Sequence, residues 1–462
     1  MIKTKIICTI GPATSSPKML SKLIQSGMNV ARLNFSHGTH SEHKERIDTI
    51  RRISDDLNKP VAILQDLAGP KIRIGGIKSG SVILESGSDF TLTSRSVPGD
   101  ENEVSVNYKK LPTKVNARDT LLLSDGSIEL KVIETSKEDI ICRVITGGKL
   151  SSKKGINIPA HSLDISSFTN KDKKDLDFGI KTGIDMIALS FVRNARDVEK
   201  VKRYLKKKKS TLPVIAKIET LPAIDNIDEI LDAIDGIMVA RGDLGVETPI
   251  EKVPITQKII ISKSNEIGKT VITATHMLKS MVHDMRPTRA EVADVANAIL
   301  DGTDAVMLSE ETAIGEYPDQ AVKILAKIAK TMESSSLFQT LVDKFRNFST
   351  DSDREALGLG VCNVAEDIKA SAIITYTKSG YTAKTISRYR PKQIIIAITP
   401  SVDTYRYLPG VWGVIPVLTQ NDEEQYLTPE NMIRTALKSK VIKAGDNVVI
   451  TDEAGMSIHT VE

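Results

Sequence analysis

The chain has 462 residues, 40% hydrophobic and 26% charged, with a formal net charge of +4. At roughly 150 residues per domain this length predicts about three domains around a sizeable core, and the ordinary composition excludes a disordered or fibrous protein. A net charge this small implies neither nucleic acid nor an anionic membrane as partner, and no apolar run approaches the roughly 20 residues of a membrane span.

The three cysteines, Cys8, Cys142 and Cys362, lie far apart and match no metal-ligand spacing or disulfide framework. That predicts free thiols in a reducing compartment. The N-terminal residues Met1-Ile2-Lys3-Thr4-Lys5 lead into only a short apolar stretch, so a soluble, cytoplasmic protein is expected.

From residue 1 to 336 short β-type apolar runs alternate with helical patterns, as in a parallel sheet built of βα units. The runs are Lys5–Ile10, Asn29–Phe35, Val61–Leu67, Met186–Phe191, Val214–Ile218, Gly236–Ala240, Val271–Thr275 and Ala305–Leu308. Eight such units close as a (β/α)8 TIM barrel, whose active site lies at the C-terminal ends of the strands. Between the third and fourth runs, glycines such as Gly76, Gly80, Gly87, Gly126, Gly147 and Gly148 punctuate short alternating segments, including Thr120–Leu123 and Ile128–Val132. That texture predicts a small inserted β-barrel domain. Beyond residue 337 the βα rhythm resumes in Ala372–Thr375, Gln393–Ile398, Gly413–Val417 and Asn447–Ile450. Four further strands cannot extend a closed barrel, so they belong to a separate open α/β domain. The expected division is 1–69 and 167–336 for the barrel, 70–166 for the insertion and 337–462 for the C-terminal domain. Lys206–Lys209 is read as a solvated helix end.

In a strand alternate side chains share a face, so polar residues at i and i+2 near the end of a run point together into the barrel mouth. The second run ends with Arg32, Asn34 and Ser36 on one face, the third with Asp66, the fifth with Lys217 and Glu219, and the eighth with Ser309 and Glu311. The seventh contributes Thr273 and Thr275, and Arg241-Gly242-Asp243-Leu244-Gly245 follows the sixth. Any one pair fits a structural barrel whose polar groups are internally satisfied. Their coincidence predicts charges of both signs converging where water is partly excluded, which implies ligands or metals. Glu219 and Asp243, with room for water and substrate oxygens, suit a hard cation such as Mg²⁺. Lys217, Arg32, Arg73 and that metal provide the positive charge phosphoryl transfer requires around the migrating group.

The stretches Lys5-Ile6-Ile7-Cys8-Thr9-Ile10-Gly11-Pro12, Ala31-Arg32-Leu33-Asn34-Phe35-Ser36-His37-Gly38, Lys217-Ile218-Glu219 and Met238-Val239-Ala240-Arg241-Gly242-Asp243-Leu244-Gly245 resemble the pyruvate kinases. So does Arg286-Pro287-Thr288-Arg289-Ala290-Glu291 leading into Asp294-Val295-Ala296-Asn297-Ala298. The likeness extends to about residue 415. It implies a glycolytic phosphotransferase acting between phosphoenolpyruvate and ADP to give pyruvate and ATP, dependent on Mg²⁺ or Mn²⁺, and a homotetramer.

Residue by residue, the resemblance implies that Arg32 binds the phosphate of phosphoenolpyruvate, Lys217 stabilises the transferring phosphoryl group, and Glu219 and Asp243 hold the metal. Ala240, Gly242 and Asp243 approach the substrate carboxylate at a helix N-terminus. A proton reaches the enolate through Thr275 or a nearby water, with Ser309 and Glu311 in the relay. Arg73, Lys154 and His37 match nucleotide-phosphate contacts. The β insertion becomes a lid carrying Asp125, whose alternative reading is a turn-forming Asp-Gly pair.

The sequence departs from the family at Leu67 and Lys71, where potassium-requiring members carry a threonine and an acidic residue. A tethered ammonium at Lys71 predicts that K⁺ is not required, leaving Asn34, Ser36, Asp66, Leu67 and Lys71 as a residual monovalent-cation pocket. Glu310 stands where many members have glycine, and the segment from Thr451 to Glu462 is short and lacks the family's Gly-Thr-Thr-Asn ending. Thr377, Lys378, Ser379, Gly380 and Thr382 resemble the family's effector loop, with a helix cap made by Ser379 and Thr382 as the alternative. Without the usual glycine-rich partner loop, a sugar monophosphate is the expected effector, if there is one. Two other functions fit parts of the pattern: a Mg²⁺-dependent barrel working on C–C bonds through pyruvate enolate, which needs neither lid nor Lys154, and a silent metabolite-binding homologue, which needs no intact Arg32, Lys217, Glu219, Asp243 and Thr275.

Overall fold

The computed structural model describes residues 1–158, 165–419, 428–452 and 455–462. Residues 159–164 of the expected insertion, and Glu453 and Ala454 of the short C-terminal segment, lie outside the described residues. Strands β1 (Lys5–Thr9), β2 (Val30–Asn34) and β3 (Ala62–Asp66) are followed by a β-rich segment. Its strands are β4 (Ser81–Leu84), β5 (Asp89–Thr93), β6 (Glu103–Ser105), β7 (Thr120–Leu123), β8 (Ile128–Thr135), β9 (Asp139–Thr146), β10 (Gly148–Ser151) and β11 (Ile156–Asn157). Parallel strands then resume as β12 (Met186–Leu189), β13 (Val214–Ile218), β14 (Gly236–Ala240), β15 (Thr270–Ala274) and β16 (Ala305–Leu308).

The first three and these last five strands close in the order β1-β16-β15-β14-β13-β12-β3-β2, all parallel, as the sequence predicts for a TIM barrel. Their Val- and Ile-rich composition follows from burial on both faces. Ile7, Leu64, Ala188, Ile215, Met238 and Ala274 pack with one another inside the barrel. The intervening Cys8, Ile63, Ile187, Ala216, Ile237 and Val271 pack outward, against the helices. The helices open on the caps their sequences supply: Thr39 with Glu42, Thr169 with Asp172 and Thr288 with Glu291 form reciprocal capping boxes. Gly11 lets the loop after β1 reach the end of the chain's last barrel unit, since a Cβ there would lie 2.5 Å from the Ala313 carbonyl oxygen.

The inserted segment forms a six-stranded sheet, β11-β7-β8-β9-β5-β6, and a β10-β4 pair, with a core of its own around Phe90, Leu121, Leu130 and Ile140. The C-terminal sheet runs β19-β18-β17-β20-β21, comprising β17 (Ala372–Tyr376), β18 (Ile394–Thr399), β19 (Val414–Leu418), β20 (Asn447–Thr451) and an antiparallel edge strand β21 (Met456–Thr460). The sequence reading does not contain β21, because its residues are mostly exposed and show no apolar run.

Two arginines fasten this domain to the barrel's N-terminal face. Arg390 bonds Asp304 at 2.6 Å and the Gly302 carbonyl at 2.8 Å while lying 4.7 Å over the Trp412 ring, and Arg388 reaches the Glu266 carbonyl. Both carbonyls stand at helix C-termini, where a cation is favoured. Lys5 is fully buried at the same junction, bonded to the Val414 carbonyl at 2.8 Å, and burial pulls its ammonium down to about 8.

Candidate active site

The inward-facing positions of the barrel strands end, at the C-terminal rim, in a balanced set of buried charges. Asp66, 1% exposed, accepts Nε of Arg32 at 2.7 Å, and its other oxygen lies 3.3 Å from Nζ of Lys217. Arg32 also donates to Oγ1 of Thr9 at 2.9 Å. Lys217 pairs with Glu219 at 2.7 Å and donates to Oγ of Ser190 at 2.8 Å. The second oxygen of Glu219 accepts the Phe191 amide at 2.7 Å. Burial works against the charge on Asp66, but Lys217 and Arg32 hold it below the usual carboxylate range. Lys217 is held above its ordinary value by Asp66 and Glu219, although burial opposes its charge more than any other single influence. Glu219 is pushed up, first by burial and further by Asp243, against the pull of Lys217.

Asp243 sits in the first turn of the helix Arg241–Glu247, directly after β14, with Nζ of Lys71 at 3.8 Å. Ala240 is the cap residue of that helix, and no side chain caps it. Its Gly242 amide donates to Oγ1 of Thr275 at 2.7 Å, and the same hydroxyl donates to the Ala274 carbonyl at 2.6 Å. Arg241 points elsewhere, bonding Asp294 at 2.7 Å and the Thr275 carbonyl at 2.8 Å, so it holds the loop rather than lining the mouth. Oγ of Ser309 is buried without a hydrogen-bond partner, and Glu311 accepts the Ser309 and Leu278 amides at 2.7 and 3.1 Å. Glu310 is 54% exposed on its side chain and pairs with Lys279.

Strand alternation misplaces two groups. Thr273 packs outward, its hydroxyl 3.0 Å from that of Thr303, and Thr275 reaches the mouth only because β15 has ended and its φ of 70° re-aims the side chain. Glu311 likewise lies on the short helix Glu310–Ala313, since β16 stops at Leu308.

On the lid side, Arg73 donates to the Lys153 carbonyl at 3.0 Å and pairs in a bridge with Gly155. Lys154 is exposed. His37 is exposed in the turn after β2, and its imidazolium is disfavoured by burial and then by the charges of Arg73, Lys71 and Arg32. Asp125 lies in a turn of consecutive positive φ values, 52° at Ser124, 56° at Asp125 and 86° at Gly126. A Cβ at Gly126 would lie 3.6 Å from Val246, so this turn meets the Arg241–Glu247 helix. Among the residues expected to form a residual monovalent-cation pocket, Asn34 Oδ1 accepts the Ser36 amide at 3.0 Å, the Leu67 carbonyl accepts Ser190 at 2.8 Å, and Asp66 is engaged by Arg32 and Lys217.

In the C-terminal domain the turn after β17 leads into the helix Tyr381–Arg388. Thr377 Oγ1 accepts the Gly380 amide at 3.0 Å and Ser379 Oγ accepts the Tyr381 amide at 3.4 Å, while the Lys378 carbonyl accepts Thr404 at 2.7 Å. Gly380, at φ 81°, is the cap residue, so the turn is braced by Thr377 and Ser379 rather than by Ser379 and Thr382.

Sequence reasoning missed Ser190, which closes the fourth run two residues after inward-facing Ala188 and was open to the same i, i+2 argument. It also missed Glu247, for which no local signal exists. Asn157 of the lid donates to Glu247 at 3.1 Å, tying β11 to the far end of the helix that carries Asp243. Burial raises the Glu247 carboxyl above its ordinary value. A raised carboxyl contributes stability that is complete below its unfolded value and is lost as pH rises through the folded one. Glu247→Gln keeps the acceptor and removes the charge, so it should flatten this part of the pH–stability curve and leave the lid at least as protected from proteolysis at neutral pH. Glu247→Ala should loosen it by about 1 kcal/mol, one hydrogen bond. Identical proteolysis of the parent and Glu247→Ala would dismiss the contact.

Comparison with known proteins agrees with this fold. The family description "Pyruvate kinase, barrel domain" matches residues 1–322 and "Pyruvate kinase, alpha/beta domain" matches 355–461. A pyruvate kinase of Staphylococcus epidermidis is 46% identical over 453 residues, spanning 98% of this chain and 77% of the relative. Pyruvate kinase 2 of a Synechocystis species is 48% identical over 453 residues, spanning 97% and 76%. The crystal structure of a pyruvate kinase from Cryptosporidium parvum superimposes with a TM-score of 0.93 at 37% identity, covering 100% of this chain and 96% of that one. With its barrel, its α/β domain and its full length matched in this way, the chain belongs to the pyruvate kinase family.

Proposed function

We propose that the chain transfers the phosphoryl group of phosphoenolpyruvate to ADP at the C-terminal rim of its barrel, using the residues gathered there. The observation that carries this is the pair of buried cations, Arg32 and Lys217, held side by side on one ionised carboxylate, Asp66. Arg32 holds the substrate phosphate, and Lys217 neutralises the charge that spreads over the phosphoryl oxygens as the bond to the enol oxygen breaks and the bond to the ADP oxygen forms. The uncapped N-terminus of the helix Arg241–Glu247 receives the substrate carboxylate near Ala240, Gly242 and Asp243. Thr275, or a water beside it, delivers the proton to the enolate carbon, with Ser309 and Glu311 behind it. Arg73, Lys154, His37 and Asp125 meet the nucleotide as the lid closes and excludes water.

Glu219 and Asp243 fit a divalent cation: both are hard oxygen donors, burial and then the charge of Asp243 oppose the ionisation of Glu219, and among the described residues no third acidic, His or Cys side chain joins them. Bound there, Mg²⁺ or Mn²⁺ would supply positive charge to the substrate oxygens. The division into 1–69 and 167–336, 70–166 and 337–462 is our reading of where the sheets separate. A homotetramer is proposed from family membership, with the exposed Ile250, Ile255 and Ile259 and the edge strand β21 as faces open to a second copy. No described helix is long and apolar enough to cross a membrane, consistent with the proposed cytoplasmic location.

Lys217→Met keeps the approximate volume and removes the charge, so turnover should fall by ~10²–10³ with the fold retained. Near-normal turnover in a folded variant would remove Lys217 from the mechanism.

Potassium independence rests on Lys71, whose ammonium lies toward Asp243 with only 26% of its side chain exposed. Replacing K⁺ by a bulky organic cation at fixed ionic strength should leave the rate essentially unchanged. Lys71→Glu should create a K⁺ requirement, and a rise of about tenfold or more in the parent on restoring K⁺ would contradict the assignment.

The turn from Thr377 to Thr382 is proposed as the effector loop, with a sugar monophosphate as its ligand. Activation assays should show a monophosphate outperforming fructose 1,6-bisphosphate; strong activation by micromolar bisphosphate would refute it.

A further inference from the structure

The turn that leaves β2 carries His37 to the rim, and it is held from beneath by a second histidine that never reaches the site. His43, on the helix His40–Asp56, is 1% exposed. Its ring lies flat on Phe35, with centroids 4.0 Å apart and planes 9° apart, and its Nε2 is 2.9 Å from the carbonyl oxygen of His37. A carbonyl can only accept, so Nε2 carries the proton. Nδ1 is then a lone pair, and it is buried without a partner. The imidazole is therefore the neutral Nε2–H tautomer. Burial works against its charging, as does Arg46, and outweighs Asp175, Glu42 and the carbonyl of His37 itself.

Neither phenylalanine nor glutamine meets both demands of this place. Phenylalanine stacks on Phe35 but leaves the carbonyl without a donor; glutamine supplies the donor but no flat ring. The turn has further supports of its own. The Ser36 amide is held by the Asn34 side chain at 3.0 Å and the His37 amide by the Asn34 carbonyl at 3.2 Å. Gly38 takes a φ of 79° with no room for a side chain, since a Cβ would lie 3.3 Å from both Nε2 of His43 and Oε2 of Glu42. Below, Thr39 and Glu42 close the capping box that starts the helix. With the amides on one side and the carbonyl on the other fixed, the backbone that carries the His37 side chain is held. Burial and then the charges of Arg73, Lys71 and Arg32 disfavour protonation of its imidazole.

We propose that His43 is a positioning residue for the nucleotide-binding turn: through one hydrogen bond to the His37 carbonyl it aims His37 at the phosphates of the nucleoside diphosphate without touching substrate. This rests on the reading of His37 as a nucleotide contact. The tests are steady-state kinetics of the full-length enzyme with phosphoenolpyruvate and ADP varied separately, for His37→Ala, His43→Phe, His43→Gln and the double variant His37→Ala/His43→Phe.

His43→Phe should raise KM for ADP about fivefold, the worth of one hydrogen bond, and leave KM for phosphoenolpyruvate within about twofold. His43→Gln should bring KM for ADP back toward the parent, and the double variant should be no worse than His37→Ala alone. If His43→Phe fails to fold by circular dichroism, His43→Met, which keeps apolar bulk without a donor, takes its place. Parent-like KM for ADP in the donor-less variant overturns the proposal, as does a parallel loss for both substrates that glutamine does not repair. If His37→Ala leaves KM for ADP unchanged, the nucleotide role of His37 falls. In that case a raised KM for ADP in His43→Phe keeps His43 as the support of the turn's backbone, and an unchanged one removes it as well.

Discussion

Asp66 is a carboxylate that water barely reaches, shared by two buried cations, Arg32 and Lys217. Two positive side chains this close and this buried repel each other and lose hydration, and neither stays in place without a counter-charge fixed by the backbone. β3 supplies that charge at its last residue, between β2 with Arg32 and β12 with Ser190. The rest of the site follows. Lys217, anchored on Asp66 and Ser190, pairs with Glu219, whose ionisation is opposed by burial and by Asp243. The rim is a network of paired charges waiting for ligands that re-pair them, which suits electrostatic rather than covalent catalysis.

The helix Arg241–Glu247 transmits between barrel and lid because both touch it along its length. Thr275 and Lys71 meet its first turn, Gly126 of the lid approaches Val246, and Asn157 bonds Glu247 at its end. This short helix, with Asp243 in its first turn and a bond to the inserted domain at its last residue, bridges barrel and insertion. On the opposite rim the turn after β2 is rigid for a different reason, the stacking of Phe35, His43, His40 and Phe178 beneath it. At the other end of the barrel, Arg388 and Arg390 dock the C-terminal domain on helix termini, so a change in that domain has a stiff path to the barrel.

The sequence by itself determined the architecture. Runs such as Val214–Ile218 and Gly236–Ala240 are apolar on both faces, which only a covered parallel sheet accommodates, and their number and spacing close a barrel. It also determined which groups gather at the mouth wherever a strand is still a strand: period-two alternation carries Arg32, Asp66, Lys217 and the overlooked Ser190 inward without reference to any other part of the chain. Tertiary structure decided the rest. Thr275 depends on a backbone reversal after β15, Glu311 on a helix that begins one residue after Ser309, and the edge strand β21 on pairing with β20 rather than on any apolar pattern of its own. Glu247 gains its role from Asn157, 90 residues away, and His43 from a carbonyl oxygen, which no residue type announces. The division has one physical cause. Alternation and burial are local properties that each residue carries in its own side chain, whereas a hydrogen bond across domains or to a backbone atom exists only once distant segments have been folded to within about 3 Å of each other.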